Sequence, residues 1–179
     1  MADKKPLTRR LVLPAAAAIV VVTIVLVFFC CFNTRTTIMV VRHAEKDTAS
    51  TLDDNLVPLN AAGVARSQTL SEVAGRAGVK AIFVTEKLRT HQTAQPLADS
   101  LGITPTEINK ANIDELITAV RDRGGVIVIV GHSDTVPVIV DRLGGGTVTV
   151  GEQFDNLFVL SLNRFGTTKL IQATYGEPR

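Results

Sequence analysis

Two of the chain's three histidines stand directly after apolar runs. His43 follows Thr36-Thr37-Ile38-Met39-Val40-Val41-Arg42, and His132 follows Gly125-Val126-Ile127-Val128-Ile129-Val130-Gly131. A third apolar run, Ala81-Ile82-Phe83-Val84-Thr85, leads into Glu86-Lys87-Leu88-Arg89. If the three runs are neighbouring strands, spaced about 5 Å apart, then Arg42, His43, Arg89 and His132 converge on one pocket. Two guanidiniums and two imidazoles facing one cavity are costly unless an anion neutralises them. Phosphate suits that role best, because guanidinium forks match its oxygens. Joint placement carries this reading, since a single His or Arg is ordinarily structural or solvated. His91 sits inside a helical stretch with no strand end before it, and reads as helix surface or as support for the site.

Other chemistries fail on inventory. A two-histidine metal site normally recruits a third protein ligand, and neighbouring arginines repel a cation. Neither HExxH nor CxxC occurs. Gly131-His132-Ser133-Asp134-Thr135 resembles the opening of a GxSxG nucleophile elbow, but its last position is Thr, and no later His completes a triad. No GxGxxG or GxxxxGK[ST] opens a helix after a strand, so nucleotide-binding loops are unsupported.

The elements that must position these groups alternate. Strands are expected at 36–41, 81–85, 103–108, 125–130, 156–162 and 169–174. Helices are expected at 60–75, 90–101, 113–121 and 136–143. Asn60 is the expected N-cap of the first helix, and Gly102 closes the second, with Pro96 inside it predicting a kink or restart. Asp114 and Glu115 open the third helix and Arg121 and Arg123 end it, as the macrodipole favours. The alternation predicts an α/β fold, a mostly parallel sheet with helices on both faces. The last two strands, joined by a turn at 163–166, predict an antiparallel edge. Ligands of such sheets bind past the C-terminal strand ends, where the chemistry-bearing residues fall.

The chain has 179 residues, 46% hydrophobic and 20% charged, with a net charge of +2. That composition excludes a disordered chain, and two cysteines exclude a disulfide scaffold. Lys4, Lys5, Arg9 and Arg10, offset by Asp3, supply +3; the rest of the chain carries 15 basic and 16 acidic residues. No basic face for nucleic acid follows from that balance. Residues 11–32, LVLPAAAAIVVVTIVLVFFCCF, contain no charge. As a helix, 22 residues reach roughly 33 Å, enough to cross a hydrocarbon core of about 30 Å. The expectation is a basic cytoplasmic tail at 1–10, an uncleaved transmembrane anchor at 11–32 and a catalytic domain at 33–179. The four cations place the N-terminus in the cytoplasm and the domain outside it, with the membrane as a partner.

Four segments together resemble the histidine phosphatase superfamily, in its small phosphoglycerate-mutase-like form. Arg42-His43-Ala44 is similar to the RHG/RHA motif. Pro58-Leu59-Asn60-Ala61-Ala62-Gly63 is similar to the PLTxxG helix entry. Thr85 through Ala94 resembles S-x-x-x-R-x-x-x-T-A, with Thr85 and Arg89 in the matching places, and Gly131-His132-Ser133 resembles the second histidine motif. The resemblance spans roughly residues 36–175. It implies transfer of a phosphoryl group to a histidine and then to water, without metal or cofactor. His43 is then the nucleophile, and Arg42, Arg89, His132 and Thr85 bind the phosphoryl oxygens. Cations flanking His43 are expected to lower its pKa. The family's proton donor is often a carboxylate after the third strand. Asp114 and Glu115 lie in that stretch but read as helix N-terminal charges, so Glu45 and Asp134 are the favoured candidates. The resemblance implies a phosphorylated small molecule or phosphoprotein as substrate, and the polar loop 47–55 is placed to shape its entry. Two alternatives remain open: a mutase or phosphotransferase with the same intermediate, and a non-catalytic membrane-tethered phosphate-binding module.

Overall fold

A computed structural model of the chain describes residues 16–26, 35–163 and 167–177. It divides into two units at Thr34/Arg35. In the first unit, residues 16–26 are helical and exposed. Among the described residues, no helix is long and apolar enough to cross a membrane. The remainder of the expected anchor, 11–15 and 27–32, lies outside the described residues, as does most of the turn expected at 163–166.

The second unit is one six-stranded sheet with helices on both faces. In chain order it runs β1 (Thr36–Arg42), α1 (Ala61–Ala74), β2 (Val79–Val84), α2 (Leu88–Leu101), β3 (Thr106–Glu107), α3 (Ile113–Arg123), β4 (Val126–Gly131), α4 (Thr135–Arg142), β5 (Asn156–Leu162) and β6 (Thr168–Thr174). The strand order is β3-β2-β4-β1-β5-β6. β1, β2, β3 and β4 are parallel, and β5 and β6 add an antiparallel edge.

Side-chain alternation explains why β4 is apolar at nearly every position. Ile127 and Ile129 pack with Leu116, Val120, Val136 and Ile139 from α3 and α4. Val128 and Val130 pack with Leu70, Ala74, Ala94 and Leu97 from α1 and α2. A strand covered on both faces has no polar side to present.

Two elements differ from expectation. β3 has only two residues, both exposed, where six were expected. α2 runs unbroken through Pro96. A proline forgoes one helical hydrogen bond, but the neighbouring Thr93, Ala94, Leu97 and Ala98 are buried and hold the helix to its neighbours. Gly102, at φ 63°, ends α2 in the left-handed region that glycine adopts most readily.

Candidate active site

Strand register sets the site before any side chain is considered. Arg42 pairs with Gly131 across β1 and β4, so His43 and His132, the next residue on each strand, leave the sheet side by side. The His43 N–H donates to the Gly131 carbonyl at 2.8 Å, carrying the pairing one step past the strand. β2 flanks β4 on its other side, with Phe83 opposite Ile129. Thr85 and Arg89 therefore approach the same end of the sheet, and β4 is the central strand of the three.

The two imidazoles meet edge to face, with ring centroids 5.2 Å apart. His43 is 4% exposed and His132 5%. His43 Nδ1 lies 2.8 Å from the Ala44 carbonyl. A carbonyl only accepts, so Nδ1 carries the proton and Nε2 keeps its lone pair. The Ala44 N–H donates to Thr93 Oγ1 at 2.9 Å, and that hydroxyl donates to the Arg89 carbonyl at 2.7 Å. The loop that carries His43 is thus bonded to both β4 and α2. Burial pushes the His43 pKa down to about 3; His132, Arg89 and Arg42 add to the shift, while the bond to Ala44 opposes it. Burial also comes first for His132, whose pKa falls to about 4 with help from Arg89, Lys110 and Lys87, against Asp134. Desolvation, rather than the flanking cations expected from sequence, is the leading cause at both rings.

Arg42 is anchored by Nη1, which donates to the carbonyls of Gly151 at 3.1 Å and Gln153 at 3.3 Å. Its guanidinium lies 4.0 Å over the Phe154 ring, and that ring is 5.9 Å from His43. Arg89 donates from Nη1 to the Asp54 carbonyl at 2.6 Å and from Nη2 to Asp54 Oδ2 at 3.3 Å. The Nε atoms of both arginines are buried and lack a hydrogen-bond partner. Both guanidiniums act electrostatically on His43, and unpartnered guanidinium N–H groups are the kind of donor an oxyanion satisfies. Thr85 Oγ1 bonds His132 Nε2 at 2.8 Å, so this hydroxyl orients the second imidazole.

The two carboxylates favoured as proton donors are both engaged elsewhere. Glu45 is buried against Arg66, which reaches it through Nε and Nη2 at 2.8–3.1 Å. Arg66 also donates to the carbonyls of Tyr175 and Glu177. Through Arg66, Glu45 ties the loop that carries His43 to α1 and to the segment after β6. His43 and Glu45 lie past the end of β1, where the side-to-side alternation of a strand no longer applies, so closeness to His43 in sequence did not reveal where Glu45 points. Asp134 Oδ2 pairs with Lys110 Nζ at 3.3 Å. Burial raises the Asp134 pKa, but the hydrogen bond and charge of Lys110 outweigh it and leave the group below its ordinary value. A carboxylate so held is a poor proton donor at neutral pH. Asp114 pairs with Arg142 at the surface. His91 bonds Glu107 at 2.9 Å, away from the two imidazoles.

Four residues escaped the sequence reading. Asp54 lies in the polar loop 47–55, where nothing distinguishes it from Asp53. Lys87 precedes Arg89 and is unexpectedly buried. Phe154 sits in a segment without periodicity, its one signal being an aromatic residue among polar neighbours. Arg66 reads as one more helix cation. Among the described residues, no three His, Cys, Asp or Glu side chains converge as a metal set.

The family model for branch 1 of the histidine phosphatase superfamily matches residues 38–115, which include Arg42, His43, Thr85 and Arg89. That match covers the first two of the three strand ends that form the site. Solved structures extend the likeness over the rest of the domain. The protein histidine phosphatase SixA, complexed with tungstate, shares 15% identity at a TM-score of 0.63, covering 77% of this chain and 96% of its own. A protein assigned as phosphohistidine phosphatase SixA in Agrobacterium tumefaciens shares 23% identity at a TM-score of 0.57, covering 80% and 99%. A mycobacterial glucosyl-3-phosphoglycerate phosphatase with inorganic phosphate shares 14% at a TM-score of 0.57, covering 79% and 97%. At these identities the structures establish the fold, an α/β sheet in the histidine phosphatase arrangement. No curated protein matches the sequence.

Proposed function

We propose that the chain is a membrane-tethered phosphatase that hydrolyses phosphomonoesters or a phosphoprotein through a phosphohistidine on His43. One observation carries the reading: an imidazole whose Nδ1 proton is committed to Ala44 stands beside two buried guanidinium N–H groups that have no partner. The Nε2 lone pair attacks phosphorus and a P–N bond forms; the bond from phosphorus to the leaving oxygen breaks, its electron pair stays on that oxygen, and the oxygen takes a proton from solvent water. Arg42, Arg89 and His132 hold the equatorial oxygens, where charge stabilisation matters most. Water then attacks the phosphohistidine, releasing inorganic phosphate and restoring the neutral ring. SixA and the mycobacterial phosphatase, whose substrates by name are a protein phosphohistidine and glucosyl-3-phosphoglycerate, support the substrate classes. The tether rests on the uncharged run 11–32 and the cations before it. Its orientation places the N-terminus in the cytoplasm and the catalytic unit outside.

The test is acid-labile labelling of the full-length protein with a radioactive phosphomonoester, paired with turnover of a substrate panel. Wild type takes up label. His43→Ala takes up none and loses turnover by a factor on the order of 10³ or more. Normal turnover in His43→Ala refutes the nucleophile assignment. Phosphate binding by wild type with neither label nor turnover supports a binding module instead.

A further inference from the structure

Arg42 stands at the end of β1, but its guanidinium is oriented by the segment between α4 and β5. Nη1 donates to the carbonyls of Gly151 and Gln153 at 3.1 and 3.3 Å. Both bonds end on one nitrogen, which acts as a pivot: they fix its place and leave the plane of the guanidinium free to tilt. The Phe154 ring supplies the missing restraint, with its centroid 4.0 Å from Arg42 Cζ on one face of that plane. The buried, unpartnered Nε–H lies in the same plane, so the tilt decides where this donor points. Phe154 is half-buried and packs in neither of the two apolar clusters that cover the sheet. Its segment is held without it. Val148 and Val150 are buried in the core, Asn156 Nδ2 donates to the Val150 carbonyl at 3.3 Å, and the Tyr175 N–H donates to the Asp155 carbonyl at 2.9 Å. A change of the Phe154 side chain therefore leaves the two carbonyls that hold Arg42 in place.

We propose that Phe154 is a positioning residue for phosphoryl transfer: its ring fixes the plane of the Arg42 guanidinium and so aims the Nε–H at the equatorial oxygens. This rests on the reading of the pocket as a phosphoryl site. A guanidinium already held flat loses little further freedom when an oxyanion binds, and the π face attracts the cation as well. Leucine offers bulk without that face.

The test is a double-mutant cycle in the full-length protein, read as kcat/KM for p-nitrophenyl phosphate and for acetyl phosphate, a small donor without a ring. Phe154→Leu is expected to lower both by about three- to thirtyfold, the scale of a cation–π contact from half-exposed to desolvated. Phe154→Tyr, which keeps the face, restores most of the loss. In an Arg42→Met background, followed with enzyme in excess, Phe154→Leu costs less than about twofold, because the group it aims is gone. Wild-type kinetics in Phe154→Leu overturn the proposal. Equal losses in the two backgrounds also overturn it, since Phe154 then acts on His43, whose ring lies 5.9 Å away, or on the fold. A loss confined to the aryl ester makes the ring a leaving-group contact instead, and a Phe154→Tyr variant as weak as Phe154→Leu removes the role of the face. A wild type that turns over neither substrate fails the phosphoryl-site reading itself, whereas an active wild type with additive losses sinks only the aiming of Arg42.

Discussion

His43 and His132 show what burial does to an imidazole that has work to do. Both are neutral at physiological pH because desolvation penalises the charged ring first, with Arg89 among the cations that add to it. The consequence is a pH-dependent stability of definite sign. An unfolded histidine titrates near 6.5, whereas the folded rings titrate at about 3 and about 4. Between those values the unfolded state binds more protons, so stability is full above roughly pH 6.5 and is lost as pH falls toward the folded values. The groups facing the two rings leave this window clear. Asp134, the carboxylate that acts on His132, is itself held below its ordinary value by Lys110 against the effect of burial. Urea unfolding followed from pH 7.5 to 4.5 is expected to lose on the order of a few kcal/mol, and His132→Asn is expected to flatten the slope. A flat profile in wild type contradicts neutral burial. Residue types and strand-end positions made these two rings and Arg42 and Arg89 legible in the sequence. The side to which each neighbour points was not legible, which is why Glu45 was taken for a proton donor.

Elements explain a glycine that the sequence marked only by resemblance. The first turn of α1 packs directly on the chain leaving β1: the Asn60 N–H donates to the Glu45 carbonyl at 2.9 Å, and Asn60 Oδ1 caps Gly63 N–H at 2.9 Å. A Cβ at Gly63 would lie 2.2 Å from that Glu45 carbonyl oxygen. The obstruction is backbone, two residues from His43, and cannot rotate away. Gly63→Ala is therefore expected to cost about 1–3 kcal/mol in chemical denaturation, and to lower kcat more than it raises KM, because the shift displaces His43 rather than the substrate's cations. Wild-type stability and kinetics in this variant contradict the packing of α1 on the loop. Helix positions such as this were readable because caps and apolar spacing are local signals. β4 was readable because both its faces are buried. β3 was not, since two exposed residues on a sheet edge leave no periodicity to read. The continuity of α2 past Pro96 was not readable either, because propensity is local and the burial that holds the helix together is not.

At the scale of the whole molecule, the catalytic unit and the apolar N-terminal run pose separate problems. The order of strands and helices on the page follows from periodicity, and the convergence of three strand ends follows from that order once β4 lies between β1 and β2. The orientation of the proposed anchor depends instead on a charge balance along the chain. Lys4, Lys5, Arg9 and Arg10 precede the uncharged run, while Arg35 and Arg42 follow it. An excess of cations on the N-terminal side favours retaining that side in the cytoplasm. A reporter fused after Arg179 that is active only outside the cytoplasm is expected to be active in the wild-type chain. Replacing Lys4, Lys5, Arg9 and Arg10 together with Gln is expected to remove most of that signal, and adding Arg35→Gln to restore part of it. A reporter that stays silent in the wild-type fusion, yet active when fused on the cytoplasmic side by a complementary assay, reverses the orientation and puts the phosphatase site in the cytoplasm.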